Sequence, residues 1–277
     1  MTKQLTKANS AIFTDRGTFF GLSNDTIIKM LQTNGSYEPH VIELFDKLIE
    51  PGNFVMDIGA SIGYHSVHLS KLVGVHGLVF AVEPQRLIHN FLCANLALNS
   101  CHNVMTLQKA VGNSTGELTL SHIDYDDPNL NSGCQRIGVG GEKVEQITLD
   151  SLQLDRQLRF IKIDAQGAEP FIIAGGIKTF TTKVRPIICF EVEDIWLRAL
   201  GSSTNQLLNI ILNLEYVILR IKSNYPCDHL AVPIELWSHT EDKLKDYSLK
   251  YDLIKGRSVA VDLFDNNLYS TFRIVGT

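Results

Sequence analysis

From Phe54 onward the chain alternates short, almost wholly apolar runs with longer segments whose apolar positions recur at helical spacing. That alternation marks strand–helix–strand units on a mainly parallel sheet, whose strands are covered on both faces and therefore lack a polar side. FVMDI (54–58) predicts a first buried strand, Gly63 to Leu72 a helix with Val67, Leu69 and Leu72 on its inner face, and LVFAVE (78–83) a second strand. A second helix is expected over Arg86 to Asn99, stopped by the polar pair Asn99-Ser100, and NVMTLQKAV (103–111) predicts a third strand.

The rhythm then breaks. Residues 112–147 hold GELTLSHID and then DYDDPNLNSGCQRIGVGGEK, whose Gly, Asp and Asn content predicts a strand and a long loop that shapes or covers a pocket. Alternation resumes with RFIKID (159–164), a helix from about Glu169 to Phe180, PIICFEV (186–192), a helix over Thr204 to Leu214, and YVILRI (216–221). SVAVDLFD and LYSTFRIV would close the sheet with an antiparallel pair. Ahead of the first strand, Pro39 to Ile49 forms an amphipathic helix and Pro51-Gly52 turns the chain into the sheet. The expected fold is α/β, a doubly wound and mostly parallel sheet with an antiparallel C-terminal strand. Residues 51–277 would form one domain, with residues 1–50 packed on it.

Composition narrows the picture only a little. The 277 residues, 44% hydrophobic and 20% charged, have the make-up of an ordinary globular chain. A formal net charge of −5 supplies no basic field, which disfavours nucleic acid as a partner. Five scattered cysteines, with no C-x-x-C pair, read as reduced thiols rather than a disulfide or zinc framework. MTKQLTKANS lacks the apolar core of a secretory signal, and Leu207 to Leu219 is too short and too polar to span a bilayer. A cytoplasmic chain without a membrane span is the expectation, and oligomeric state is left open.

Candidate chemistry begins at DIGASIG (57–63), the turn between the first strand and the first helix. In a doubly wound sheet that turn faces the ligand crevice. A dinucleotide fingerprint would place glycine where Ser61 stands between Gly59 and Gly63, so the match to a pyrophosphate cradle is poor. Asp57 precedes the turn, and a carboxylate there would repel a pyrophosphate but attract an ammonium group. Glu83, followed by Pro84 and about 26 residues beyond Asp57, lies where an acidic side chain accepts hydrogen bonds from a ribose diol. An ammonium group and a ribose without phosphates describe S-adenosylmethionine.

At this point the sequence resembles the FkbM family of S-adenosylmethionine-dependent methyltransferases. GSYEP (35–39), DIGASIGYHS (57–66), VEP (82–84), ANLALN (94–99), KAVGN (109–113), TLDSL (148–152), IKIDAQGAE (161–169) and Glu191 follow the family's order over about residues 35–193. The resemblance implies the class I, Rossmann-like methyltransferase fold and methylation of hydroxyl groups on sugars, glycolipids or polyketide-type metabolites. It brings Glu38 of the Y-E pair and Ala110 of KAVGN into the expected cofactor-binding set. Two positions depart from the family pattern: Ser61 replaces an Asn, and Gln166 replaces an acidic residue.

Transfer of a methyl group to a hydroxyl is an in-line displacement, so the protein must align the acceptor and remove its proton. Asp164, at the carboxyl end of RFIKID, is the expected base, with Lys162 on the same strand face and Glu191 on the next strand as its helpers. Cofactor binding is expected at Glu38, Asp57, Gly59, Ser61, Gly63, Tyr64, Glu83, Pro84, Ala110 and Asp164, and acceptor binding at His65 and Glu169. For Glu169 a plain charge at a helix N-terminus is a competing role. The acidic insert residues Asp124, Asp126 and Asp127 read as solvated, and no metal is expected. The expected reaction is O-methylation of a sugar, glycan or small-metabolite hydroxyl. A nicotinamide-dependent oxidoreductase and a non-catalytic Rossmann-like binding module are the alternatives.

Overall fold

The computed structural model describes residues 9–254 except 224–226 and 249. The expected strands SVAVDLFD and LYSTFRIV lie outside the described residues. In chain order, a hairpin of β1 (Asn9–Thr14) and β2 (Gly17–Leu22) leads to α1 (Thr26–Asn34) and α2 (Pro39–Leu48). Then come β3 (Phe54–Ile58), α3 (Tyr64–Val73), β4 (Leu78–Val82), α4 (Arg86–Leu98) and β5 (Val104–Leu107). The insert contributes β6 (Ala110–Gly112), β7 (Gly116–Ser121) and β8 (Gly140–Thr148). The second half runs β9 (Leu158–Ile163), α5 (Glu169–Ala174), α6 (Ile177–Thr181), β10 (Ile187–Glu191), α7 (Asp194–Ala199) and α8 (Thr204–Asn213). It ends in β11 (Tyr216–Ile221), β12 (Asp228–Pro233), α9 (Trp237–Lys243) and β13 (Tyr251–Ile254).

The central sheet has the order β13-β11-β12-β10-β9-β3-β4-β5. Its five strands from β10 to β5 pair in parallel, while β12 is antiparallel to both β10 and β11. The expected α/β fold is therefore present, with its antiparallel strand supplied by Asp228–Pro233. The chain winds outward from β3 in one direction through β4 and β5, and in the other from β9 to β10. The switch point lies between β3 and β9, where a doubly wound sheet opens a crevice at its strand ends.

Two apolar layers cover the sheet. Val55, Val79 and Phe160 pack toward α1 to α4, whereas Met56, Ile161 and Ile163 pack toward α5 and α8. The alternation of a pleated strand sorts these neighbours to opposite faces. It also puts Asp57 and its register partner Lys162 together inside the first layer.

Local chemistry explains where the expected elements changed. The third strand breaks into β5 and β6, and β6 leaves the main sheet to pair with β8 beside β7. The insert is thus a three-stranded sheet rather than one strand and a loop. The helix expected to continue to Phe180 stops at Gly175, where an added Cβ would lie 1.9 Å from the carbonyl oxygen of Gly112. Only glycine lets β6 pass that close.

No element was expected before Pro39, yet the β1–β2 hairpin and α1 pack on the core. Asn95 and Asn99, one helical turn apart on α4, act as backbone partners for β2. Asn95 accepts from Phe20 N at 2.7 Å and donates to Phe20 O at 3.0 Å and Ile62 O at 2.8 Å. Asn99 makes the equivalent pair with Thr18 at 2.9 and 2.7 Å. Asn95 is fully buried, so its loss would strand main-chain groups without water. Asn95→Ala should lower unfolding free energy by about 2–4 kcal/mol, read from urea denaturation, with most of the loss retained in Asn95→Leu.

Candidate active site

The turn after β3 and the turn after β9 meet at the switch point. Asp164 N donates to Ile58 O at 3.0 Å, and a Cβ on Gly59 would stand 1.8 Å from the Asp164 carbonyl oxygen. Gly59 also has φ +79°, so both its conformation and its neighbour demand glycine. Beyond this contact opens a cavity of about 630 Å³, within the range of small-molecule sites.

Eleven of the fourteen sequence-selected side chains or backbones line it. They are Glu38, Gly59, Ser61, Tyr64, His65, Glu83, Pro84, Ala110, Lys162, Asp164 and Glu191. Asp57, Gly63 and Glu169 do not. Asp57 is fully buried below the turn, where Ser66 Oγ donates to it at 2.6 Å, so direct contact with a cavity ligand is closed to it. Gly63 faces Leu92, whose Cδ1 would be 2.6 Å from an added Cβ, and serves helix packing. Glu169 is buried under its own turn and accepts from Ala165 N at 2.9 Å, which brings it to the helix N-terminal role rather than the acceptor.

On one side of the cavity Glu83 braces the first turn. Its two carboxyl oxygens accept from Ser61 N at 3.0 Å and Gln85 N at 2.9 Å, and burial raises its pKa to about 7. On the other side Lys162 donates to Asp164 at 3.0 Å. Burial opposes the charge on Lys162, but Asp164, Asp57 and Glu38 outweigh it and raise its pKa. Burial first, and then the charge of Asp164, raise the pKa of Glu191, so it carries a proton at neutral pH. Gln166 joins the two acids: its Nε2 donates to Asp164 at 3.0 Å and to Glu191 at 2.8 Å. It does so from a left-handed backbone, φ +51°.

The Y-E pair closes a third wall. Glu38 caps α2 from a left-handed conformation, φ 43°, and burial raises its pKa. Its Oε2 lies 3.4 Å from His65 Nε2 without hydrogen-bond geometry, and burial pushes His65 well down, leaving it neutral. The Oγ of Ser61 is buried with no hydrogen-bond partner among the described residues, and the Tyr64 hydroxyl is buried beside Tyr37 and Arg16.

These residues fit S-adenosylmethionine better than a dinucleotide. Four carboxyl groups line the cavity, the first turn is too tight for a side chain, and the unpartnered Ser61 hydroxyl sits beside it. Such a wall suits a cationic sulfonium and ammonium and opposes a pyrophosphate.

The insert lines the cavity, as expected of it, through Asn131 to Ile137, although none of these residues was among the sequence candidates. Asp25, the N-cap of α1, ties this segment down: its carboxylate accepts from Ile27 N and Ser132 N, both at 2.9 Å. Asn24 adds bonds to the carbonyls of Tyr125 and Asp127. Only the Asp-Thr helix-cap pattern at 25–26 could have signalled an anchor, and nothing local says that the insert is its partner. Among the described residues no cluster of His, Cys, Asp or Glu could hold a metal, and no helix is long and apolar enough to cross a membrane.

The family model described as the methyltransferase FkbM domain matches residues 57–218. A protein-L-isoaspartate O-methyltransferase of Methanosarcina mazei is 34% identical over 71 residues, covering 25% of this chain. The chain spans 29% of the length of that curated relative. Among solved structures, a precorrin-6y C5,15-methyltransferase from Geobacter metallireducens is 18% identical with a TM-score of 0.42, covering 70% of this chain and 86% of that one. The O-methyltransferase TomG from Streptomyces achromogenes, of tomaymycin synthesis and solved with S-adenosylmethionine, is 12% identical with a TM-score of 0.42, covering 72% and 81%. The fold itself rests on the strand order.

The buried acid beneath the turn has a measurable consequence. Burial raises the pKa of Glu169 to about 7 from an ordinary 4.5, so the folded chain binds a proton that the unfolded chain releases. Its contribution is full below about pH 4.5 and is lost as pH rises through about 7. Glu169→Gln keeps an acceptor for Ala165 N and removes the titration. The variant should be more stable than the parent at pH 8 by roughly 1–3 kcal/mol and should show a flatter stability profile between pH 4.5 and 7.5, as read by urea denaturation.

Proposed function

We propose, on the premise that this chain belongs to the FkbM methyltransferase family whose model spans residues 57–218, that it methylates a hydroxyl group of a sugar, glycan or small metabolite. The observation that carries this reading is the convergence of Asp164, Lys162 and Glu191 on one cavity, across from Glu83 and the Gly59 turn. S-adenosylmethionine, when bound, supplies an electrophilic methyl carbon on a sulfonium sulfur.

The chain's own residues have separable tasks. Glu83 and the Gly59–Ser61 turn would hold the ribose end, while Glu38, Tyr64 and Pro84 close around the cofactor. Asp164 would take the proton of the acceptor hydroxyl as the oxygen bonds the methyl carbon and the methyl–sulfur bond breaks, the proton ending on a carboxyl oxygen of Asp164 and S-adenosylhomocysteine leaving as the neutral thioether. Lys162, paired with Asp164 at 3.0 Å, would hold its carboxylate in place for that step. Glu191 already holds a proton and is therefore a donor that orients the acceptor rather than a second base. His65, neutral and beside Glu38, offers the acceptor a ring nitrogen without a charge.

A carboxylate base favours a hydroxyl acceptor over an amine. An amine acceptor needs only a neutral lone pair, whereas a hydroxyl gains nucleophilicity by losing its proton. Calorimetry of the full chain with S-adenosylhomocysteine should show binding, and no heat at high micromolar ligand would sink the cofactor assignment. Asp164→Asn should retain that binding while lowering transfer of labelled methyl groups to a small-molecule extract by about 10²–10⁴-fold.

A further inference from the structure

The cations that line the cavity are not equivalent. Lys162 pairs with Asp164 at 3.0 Å, Lys109 with Glu145 at 2.6 Å, Lys222 with Asp252 at 2.6 Å, and His40 with Asp228 at 2.6 Å. Arg136, from the insert, also lines the cavity, but its side chain has no ion pair or hydrogen bond among the described residues. Its Nε is buried and unpartnered. A buried guanidinium nitrogen without an acceptor is costly, and the fold tolerates it only where something else holds the group.

Trp196 holds it. The guanidinium carbon of Arg136 lies 3.6 Å from the centre of the Trp196 ring, a cation–π contact that holds the group against the ring. The main chain is fixed as well: Arg136 O accepts from Ser121 N at 2.8 Å, and the next residue, Ile137, bridges to Leu120. The Trp196 carbonyl in turn abuts Gly167, where an added Cβ would meet it at 2.5 Å. A rigid chain of contacts therefore links the guanidinium to the turn that carries Asp164 and Gln166.

Position on the sheet separates this guanidinium from the cofactor end. Glu83 follows β4, and Trp196 lies on α7, which follows β10. The order β10-β9-β3-β4 puts three strand spacings of about 4.8 Å between them, with the Asp164 base in the middle. Arg136 thus reaches the cavity from the β10 side of the sheet and Glu83 from the β4 side.

We propose that Arg136 is an oxyanion-recognition residue and that the acceptor carries a carboxylate, phosphate or sulfate group beside the hydroxyl that is methylated. A cavity-lining guanidinium held against Trp196, with no carboxylate paired to it among the described residues, matches the two oxygens of such a group. The acceptor class is then an acidic hydroxyl compound such as a uronic acid or a sugar phosphate, rather than a neutral polyol. This inference rests on reading the cavity as a methyl-transfer site.

The test is calorimetry on the full chain saturated with S-adenosylhomocysteine, with glucuronate, inorganic phosphate and glucose as probes. Wild type should bind both anions, with an affinity that falls as salt is raised, and should bind glucose at least about tenfold more weakly. Arg136→Gln should weaken both anions by at least about tenfold and leave S-adenosylhomocysteine unchanged, while Arg136→Lys should recover part of the phosphate binding but little of the glucuronate. Unchanged anion affinity in Arg136→Gln, or no anion binding by the wild-type complex, overturns the proposal. So does a fall in S-adenosylhomocysteine affinity in Arg136→Gln with its far-UV circular dichroism intact, which would assign the guanidinium to the cofactor's own carboxylate. Failure of the underlying reading looks different, because the wild type would then not bind S-adenosylhomocysteine at all.

Discussion

A single buried ammonium group holds the crevice together. Lys162 is 5% exposed and shares its charge among Asp164, Asp57 and Glu38, which reach it from three different elements. Two opposite charges 3 Å apart attract by about 5 kcal/mol at an effective dielectric constant of 20, and a buried charge left without its partner costs about as much. The floor of the site is therefore stable only with β3, β9 and the start of α2 in register. That register also sets Gly59 against the Asp164 carbonyl, and through it the whole mouth of the cavity.

From this floor the carboxyl groups acquire different states although their chemistry is the same. Asp164 has a cation 3.0 Å away. Glu191 has no cation and faces Asp164, so it keeps its proton. Gln166 lies between them and donates to both, which a third carboxylate at that place could not do without a further proton. The departure from the family pattern at Gln166 is thus a neutral bridge between two acids, compatible with the geometry around it. A base and a proton-bearing neighbour on one wall are the usual requirement for handling a hydroxyl.

The legible part of the site was its main chain. Glycines at 59 and 63, Glu83 at a strand end and Asp164 at another could be read because each marks a turn or a strand terminus, which are local features. What each side chain touches was less legible. Asp57 reads as a ligand in the sequence and in the structure is buried with Ser66 bonded to one oxygen; Glu169 reads as a contact and in the structure accepts from its own turn. In both, a one-residue step along the chain decides between facing the crevice and facing the core. The ANLALN motif shows the same limit from the other direction, since its two asparagines stood out in the sequence while the strand they bind did not.

By itself the sequence determined the main strand–helix alternation between Phe54 and Ile221, the mostly parallel character of the sheet and the first-turn glycine that a close backbone contact requires. These follow from periodicities of two and 3.6 residues and from the torsional freedom of single residues, all of which act over a few positions. Tertiary structure alone decided that β6 leaves the sheet, that the hairpin at residues 9–22 docks on α4, and that the insert brings Arg136 over Trp196 into the cavity that Asp164 and Glu191 also line. Those contacts join residues tens of positions apart. Their free energy comes from burial and from pairing of polar groups that meet only once the chain has closed, and no short stretch of sequence carries it.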